Sequence, residues 1–124
     1  MTLEQAKEMT SLSPTEIQVR LVSLNADGAH PWTYEEGKLH KEFVFSDFIA
    51  AFGFMTRAAL VAERQNHHPD WSNVYNRVVV SLSTHEASGV SDADFRLAGE
   101  FDALFEPHPP GASPLVAGTP SDVA

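Results

Sequence analysis

Two adjacent imidazoles, His67 and His68, stand before Pro69 in the stretch "NHHPDW", and a third, His85, follows seventeen residues after His68. Imidazole has an unperturbed pKa of about 6.5, so it both gives and takes protons near neutrality. Acid–base catalysis by such a group is worth on the order of 10²–10⁴-fold. Neighbouring residues point in different directions, so His67 and His68 cannot line one flat face. They can flank a small ligand from two sides, or one can meet the ligand while the other anchors backbone. Glu63 lies four residues before His67, one helical turn away, and could hold that ring or a substrate by a hydrogen bond. Its plainer reading is a solvated helix-end carboxylate. A metal reading would use His67, His68 and His85 with Asp70 or Glu63. The chain lacks His-Glu-x-x-His and His-x-His spacing, and adjacent histidines are awkward joint ligands for one ion, so no metal is expected. His30 and His40 fall in a hairpin region and His108 in a tail, where the surface reading prevails. No Gly-x-Ser-x-Gly, phosphate loop or dinucleotide fingerprint is present. Residue types and spacing alone reach a histidine acid–base site and name no substrate.

The elements that must position these side chains follow from pattern. Ser13-Pro14-Thr15-Glu16 is a helix start, with Ser13 as cap, Pro14 at the first position and Glu16 closing a capping box. Ile17, Leu21 and Leu24 recur at helical spacing, with Val22 beside them, and Asn25 to Gly28 ends the helix, with Gly28 free to take positive φ. "HPWTYEEGKLHKEFVF" predicts a hairpin turning at Glu36-Gly37, with Lys41 near a sheet edge. Ser46 is the expected cap of a long helix, with Asp47 in its first turn. Phe48, Phe52, Met55, Ala59 and Ala62, broadened by Ile49 and Leu60, form its expected apolar stripe. Pro69 should end it near Asn66, so His67 and His68 emerge where a helix stops and the chain turns back. Val74 to Ser83 is the clearest strand, with Val74, Asn76, Val78, Val80 and Leu82 sharing one face. Whether Pro69–Ser83 holds one strand or two stays open, since Trp71 to Asn73 could begin a short extra one. A turn around Gly89 leads to a second capping box, Ser91 with Asp94. The last helix is predicted from about Asp92 to Phe105, with Phe95, Ala98, Phe101 and Phe105 on one side. His85 thus follows a strand, and loops at element ends are where sites are built. The domain is expected to be α+β.

The bulk properties narrow the partners. The chain has 124 residues, 43% hydrophobic and 20% charged, which suits one globular domain. A net charge of −9 argues against direct nucleic-acid or anionic-membrane binding. Without cysteine there can be no disulfide, thiolate metal site or cysteine nucleophile. The N-terminus lacks a signal-peptide apolar region, and no apolar run approaches the ~18 residues of a span. The expectation is a soluble cytoplasmic protein, nuclear also if eukaryotic. Residues 1–12 are expected to be a flexible lead-in and 13–105 the domain. From Glu106 the chain holds five of its eight prolines without periodicity, so 106–124 is expected to be a disordered tail.

Residues 63–94 carry a more specific pattern. Glu63, three residues, His67-His68-Pro69, five residues, Tyr75, nine residues, His85, eight residues, Asp94 resembles the signature of the pterin-4a-carbinolamine dehydratase family. The flanking "AFGFMTR", "NVYN" and "LSTHE" are similar to its animal-type members, and the resemblance covers about residues 31–105. It implies a four-stranded antiparallel sheet with three helices packed on one face, and so an extra strand near Trp71. It implies loss of water from 4a-hydroxytetrahydrobiopterin to give quinonoid dihydrobiopterin, recycling the cofactor of aromatic amino acid hydroxylases. No metal or organic cofactor is implied. By that resemblance His67 and His85 match the acid–base histidines and His68 a substrate-placing one. Glu63, Asn66, Ser83, Thr84 and Glu86 match segments that line the pterin site. Family members form dimers or tetramers, and some act as dimerisation partners of a homeodomain transcription factor or assist assembly of a carbon-fixing enzyme. The alternative to the enzyme is therefore a non-catalytic or moonlighting binding module, a transcription-factor dimerisation cofactor or an assembly factor, and the partners the resemblance offers are an aromatic amino acid hydroxylase or a transcription factor. Asn66 departs from the Asp of animal-type members, keeping an oxygen acceptor and losing the charge.

Overall fold

The computed structural model describes residues 2–3, 9–26, 28 and 30–105. Half of the expected lead-in and the whole 106–124 tail, with His108, lie outside the described residues. The order is α1 (Pro14–Leu24), β1 (Thr33–Glu35), β2 (Lys38–Val44), α2 (Phe48–Gln65), β3 (Asp70–Val74), β4 (Arg77–Leu82), a 3₁₀ turn (His85–Ala87) and α3 (Asp92–Leu104). The four strands form one antiparallel sheet in the order β1-β2-β4-β3. Three helices cover one face, giving the α+β architecture expected. Among the described residues no helix is long and apolar enough to cross a membrane.

Local chemistry explains most boundaries. Ser13 caps α1 with a complete Ser13/Glu16 capping box and Pro14 at its start. The Ser13 backbone N–H holds the Glu16 carboxyl below its ordinary pKa, with the Ser13 hydroxyl adding to the effect. The α1 exit is tied to β1 by one side chain: Asn25 Oδ1 accepts from the Trp32 N–H at 2.8 Å and its Nδ2 donates to the Trp32 carbonyl at 2.9 Å. Glu36 and Gly37, with φ of 52° and 79°, make the tight β1–β2 turn, a two-residue hairpin connection with both central φ positive. Gly28 takes no positive φ, because α1 stops at Asn25 in an ordinary right-handed conformation. Ser11 and Leu12 already engage the domain: Ser11 bridges Ser91, and the Leu12 N–H donates to the Val90 carbonyl at 2.9 Å.

Four expectations are corrected. The cap of α2 is Asp47, whose carboxylate accepts from the Ala50 N–H at 2.8 Å, in place of Ser46. The buried face of α2 is Ala51, Phe54, Ala58, Val61 and Ala62, while Phe48, Ile49, Phe52 and Leu60 are exposed. Small alanines let this helix approach its neighbours closely, and Phe54 packs against the rings of Phe43, Phe45 and Phe101. The expected Val74–Ser83 strand is shorter, β4 at Arg77–Leu82, and Pro69–Ser83 holds two strands: Val74 ends β3 exposed, and Tyr75 at φ 51° and Asn76 make the turn between them. Lys41 is buried on an inner strand. Its ammonium lies 2.8 Å from Asp102 of α3 and over the rings of Phe43 and Trp32, so the charge is paired where the sequence placed it at an edge.

The core lies between sheet and helices. Leu39, Phe43, Val78, Val80 and Leu82 face it from the strands, and Phe54, Phe95, Leu97 and Phe101 from the helices. Trp32 is almost wholly buried, its indole N–H donating to the Asp102 carboxylate at 3.1 Å. Trp71 is half-buried on β3 and stacks on Phe101 with ring centroids 6.2 Å apart.

Candidate functional site

The end of α2 aims two of the three histidines. Asn66 takes φ 53° and ψ 42°, and the His67 N–H reaches back to the Ala62 carbonyl at 3.0 Å. This left-handed stop is one Asn tolerates better than most residues. It ends the helix immediately before the two histidines, with His67 turned inward and His68 left outside. The side chain of His67 is 14% exposed against 58% for His68.

His67 meets the carboxylate of Asp94, which the sequence offered both as the capping partner of Ser91 and as the last residue of the Glu63–Asp94 pattern. Its Nε2 lies 2.5 Å from Asp94 Oδ1, and the Asp94 side chain is fully buried. The other Asp94 oxygen, Oδ2, accepts from the Thr84 hydroxyl at 2.7 Å and from the Ser91 N–H at 2.9 Å. The hydroxyls of Thr84 and Ser91 lie 2.5 Å apart. Burying a charged carboxylate is costly unless donors surround it, and here three do. As an acceptor-only group it fixes the Nε2–H form of the neutral His67 ring, leaving Nδ1 as the free lone pair.

His68 meets Glu63 instead, with Nε2 2.9 Å from Glu63 Oε1. Glu63 therefore holds His68 and not His67, since the left-handed turn at Asn66 rotates His67 off the helical surface. That pair is solvent-exposed, so it orients more than it stabilises.

The third histidine belongs to the loop after β4. Thr84 is fully buried and forms a bridge with Gly89, donating its N–H to the Gly89 carbonyl at 2.7 Å. His85 and Glu86 follow on the 3₁₀ turn, both exposed, and Ser88 closes it in a left-handed conformation. Ser83 is half-buried at the end of β4. The expected residues thus fall into two groups. His67 and Thr84 are joined directly through Asp94, while His68 and Glu63 form a surface pair. Ser83, His85 and Glu86 are carried beside Thr84 by the chain itself. Among the described residues no three His, Asp or Glu side chains converge on a point where an ion could sit.

The chemistry available is proton transfer at a rim with one ring held from behind and another free in solvent. A profile of the family described as pterin 4 alpha carbinolamine dehydratase matches residues 10–104. The pterin-4-alpha-carbinolamine dehydratase homologue of Solibacter usitatus is 55% identical over 95 residues, spanning 77% of this chain and 95% of its own. That of Christiangramia forsetii is 46% identical over 98 residues, spanning 79% and 96%. The crystal structure of a transcriptional coactivator/pterin dehydratase from Brucella melitensis superposes with a TM-score of 0.70 at 40% identity, covering 77% of this chain and 98% of that one.

Proposed function

The chain belongs to the pterin-4-alpha-carbinolamine dehydratase family, and from that premise we propose that His67 and His85 carry protons in the dehydration of a 4a-hydroxytetrahydropterin, with His68 placing the substrate. The observation that supports this most is that buried Asp94 of α3 meets both His67 and Thr84, the residue before His85. In the reaction the 4a-hydroxyl takes a proton and leaves as water, N5–H is lost, and the C4a=N5 bond forms. One proton enters and one departs, so no net acid or base is consumed. With Nε2–H on Asp94, His67 offers Nδ1 to accept the N5 proton. His85, exposed on its turn, delivers a proton to the departing hydroxyl. The two exchange roles when the hydroxyl lies on the opposite pterin face. Glu63, Asn66, Ser83 and Glu86 are the further residues proposed to meet the pterin, and Thr84, whose hydroxyl and backbone are engaged inside the protein, serves the site by holding Ser83 and His85 beside it. The product is quinonoid dihydropterin, which places the chain in tetrahydrobiopterin recycling for aromatic amino acid hydroxylases, in the cytoplasm.

The test is stopped-flow dehydration of enzymatically generated 4a-hydroxytetrahydropterins of biopterin, monapterin and folate type. His67→Ala and His85→Ala should each lower kcat by on the order of 10²-fold or more, and His68→Ala should chiefly raise KM. Rates for the intact protein no faster than the spontaneous reaction would end the dehydratase reading. Two unimpaired variants would end the site assignment.

A second reading has its own observation. Phe48, Ile49, Phe52 and Leu60 expose an apolar face on α2, and such patches mark association surfaces. We infer that the chain forms a homodimer or homotetramer, and that a transcription-factor or assembly partner is the alternative use of the fold. Analytical ultracentrifugation showing a monomer at micromolar concentration would count against self-association.

A further inference from the structure

We propose that Asp94 is a positioning residue for the dehydration, setting His67 directly and the His85 loop through Thr84. The inference rests on the dehydratase reading above. The rival is that Asp94 merely caps α3.

The molecule contains its own control for that rival. Glu16 closes the same type of capping box at α1, accepting from the Ser13 N–H at 2.8 Å at a solvent-exposed helix start. One exposed oxygen is enough for that task. Asp94 uses Oδ2 to close its box on Ser91, yet it is fully buried and turns Oδ1 to His67. Capping requires neither the burial nor the second contact.

Counting hydrogens gives the network a direction. The single Thr84 hydroxyl hydrogen goes to Asp94 Oδ2. The Ser91 hydroxyl must then donate to Thr84 Oγ1 across their 2.5 Å contact. Every donor runs toward the carboxylate, which stays an acceptor and fixes the Nε2–H form of His67. Thr84 is the residue immediately before His85, and its backbone is bridged to Gly89. One carboxylate therefore contacts one proposed acid–base histidine, His67, and the residue next to the other, Thr84 beside His85, from different elements of the chain. Ser91 ties the same point to the start of α3 and, through its bridge to Ser11, to the N-terminal segment.

The experiment uses the full chain labelled with ¹⁵N in its histidines, with Asp94→Asn, Thr84→Val and Thr84→Ser beside the unaltered protein. The unaltered neutral His67 should show its proton on Nε2. Asp94→Asn should lower kcat by on the order of 10²–10⁴-fold with little change in KM, as expected when a ring loses its orienting carboxylate. Its His67 signal should move to a mixture of the two neutral forms. Thr84→Val should lower kcat while His67 keeps its Nε2–H form, and Thr84→Ser should restore the rate. A folded Asp94→Asn protein with full kcat, or an unaltered His67 with its proton on Nδ1, would overturn the proposal. If Asp94→Asn does not fold, the Thr84 pair and the unaltered spectrum still decide. Absence of dehydration by the unaltered protein would remove the dehydratase reading alone, leaving the His67 spectrum to test the contact.

Discussion

At the scale of single residues, Asn66 shows how a site can depend on a backbone angle. Its φ of 53° is what sends His67 inward and His68 outward. A left-handed conformation costs most L-residues about 1–2 kcal/mol, and Asn and Asp are the usual exceptions besides Gly. The replacement of the Asp of animal-type relatives by Asn66 therefore leaves the backbone requirement met. Asn66→Gly should retain stability in urea unfolding, and Asn66→Val should lose about 1–2 kcal/mol. His67, His68 and His85 were legible in the sequence by type and spacing. Asp94 was legible as a capping partner for Ser91 and as the last position of the signature pattern, but its contact with His67 was not, because it is tertiary and spans 27 positions. The Glu63–His67 expectation failed for a physical reason: helical i to i+4 geometry ends at Gln65, and the turn at Asn66 hands Glu63 to His68.

At the scale of elements, capping chemistry was the most readable signal. Ser13/Glu16 and Ser91/Asp94 start α1 and α3 as their spacing predicts. The face of α2 was not readable, because the helix is apolar almost all round and its largest side chains draw attention to the wrong stripe. Close packing selected the alanines at 51, 58 and 62 for the buried side. Phe54→Ala should cost about 3–5 kcal/mol in chemical denaturation, the range for truncating a buried aromatic. Phe52→Ala, at an exposed position of the same helix, should change monomer stability by less than about 0.5 kcal/mol. The β3–β4 turn escaped for a related reason. Tyr75 carries the positive φ there, an aromatic in a place where a turn residue is expected, and Asn76 beside it reads as part of the strand. The fourth strand came from the family resemblance, while the alternation of Val78, Val80 and Leu82 alone located β4.

At the scale of the whole molecule, the packed unit closes at Phe105, whose ring meets Phe43 and Phe45. We infer that residues 106–124 add nothing to folding or turnover. A chain ending at Phe105 should keep the melting temperature and the dehydration rate of the full chain, as calorimetry and the stopped-flow assay would show. The two tryptophans divide along the same line. Trp32 sits deep in the core against Asp102 and Lys41, whereas Trp71 is half-buried three residues beyond His68. They amount to separate optical probes, one for global melting and one for events at the histidine rim. A pterin analogue should quench intrinsic fluorescence through Trp71. Trp71→Phe should abolish most of that response and Trp32→Phe should keep it, so occupancy could be followed by light without attaching a dye.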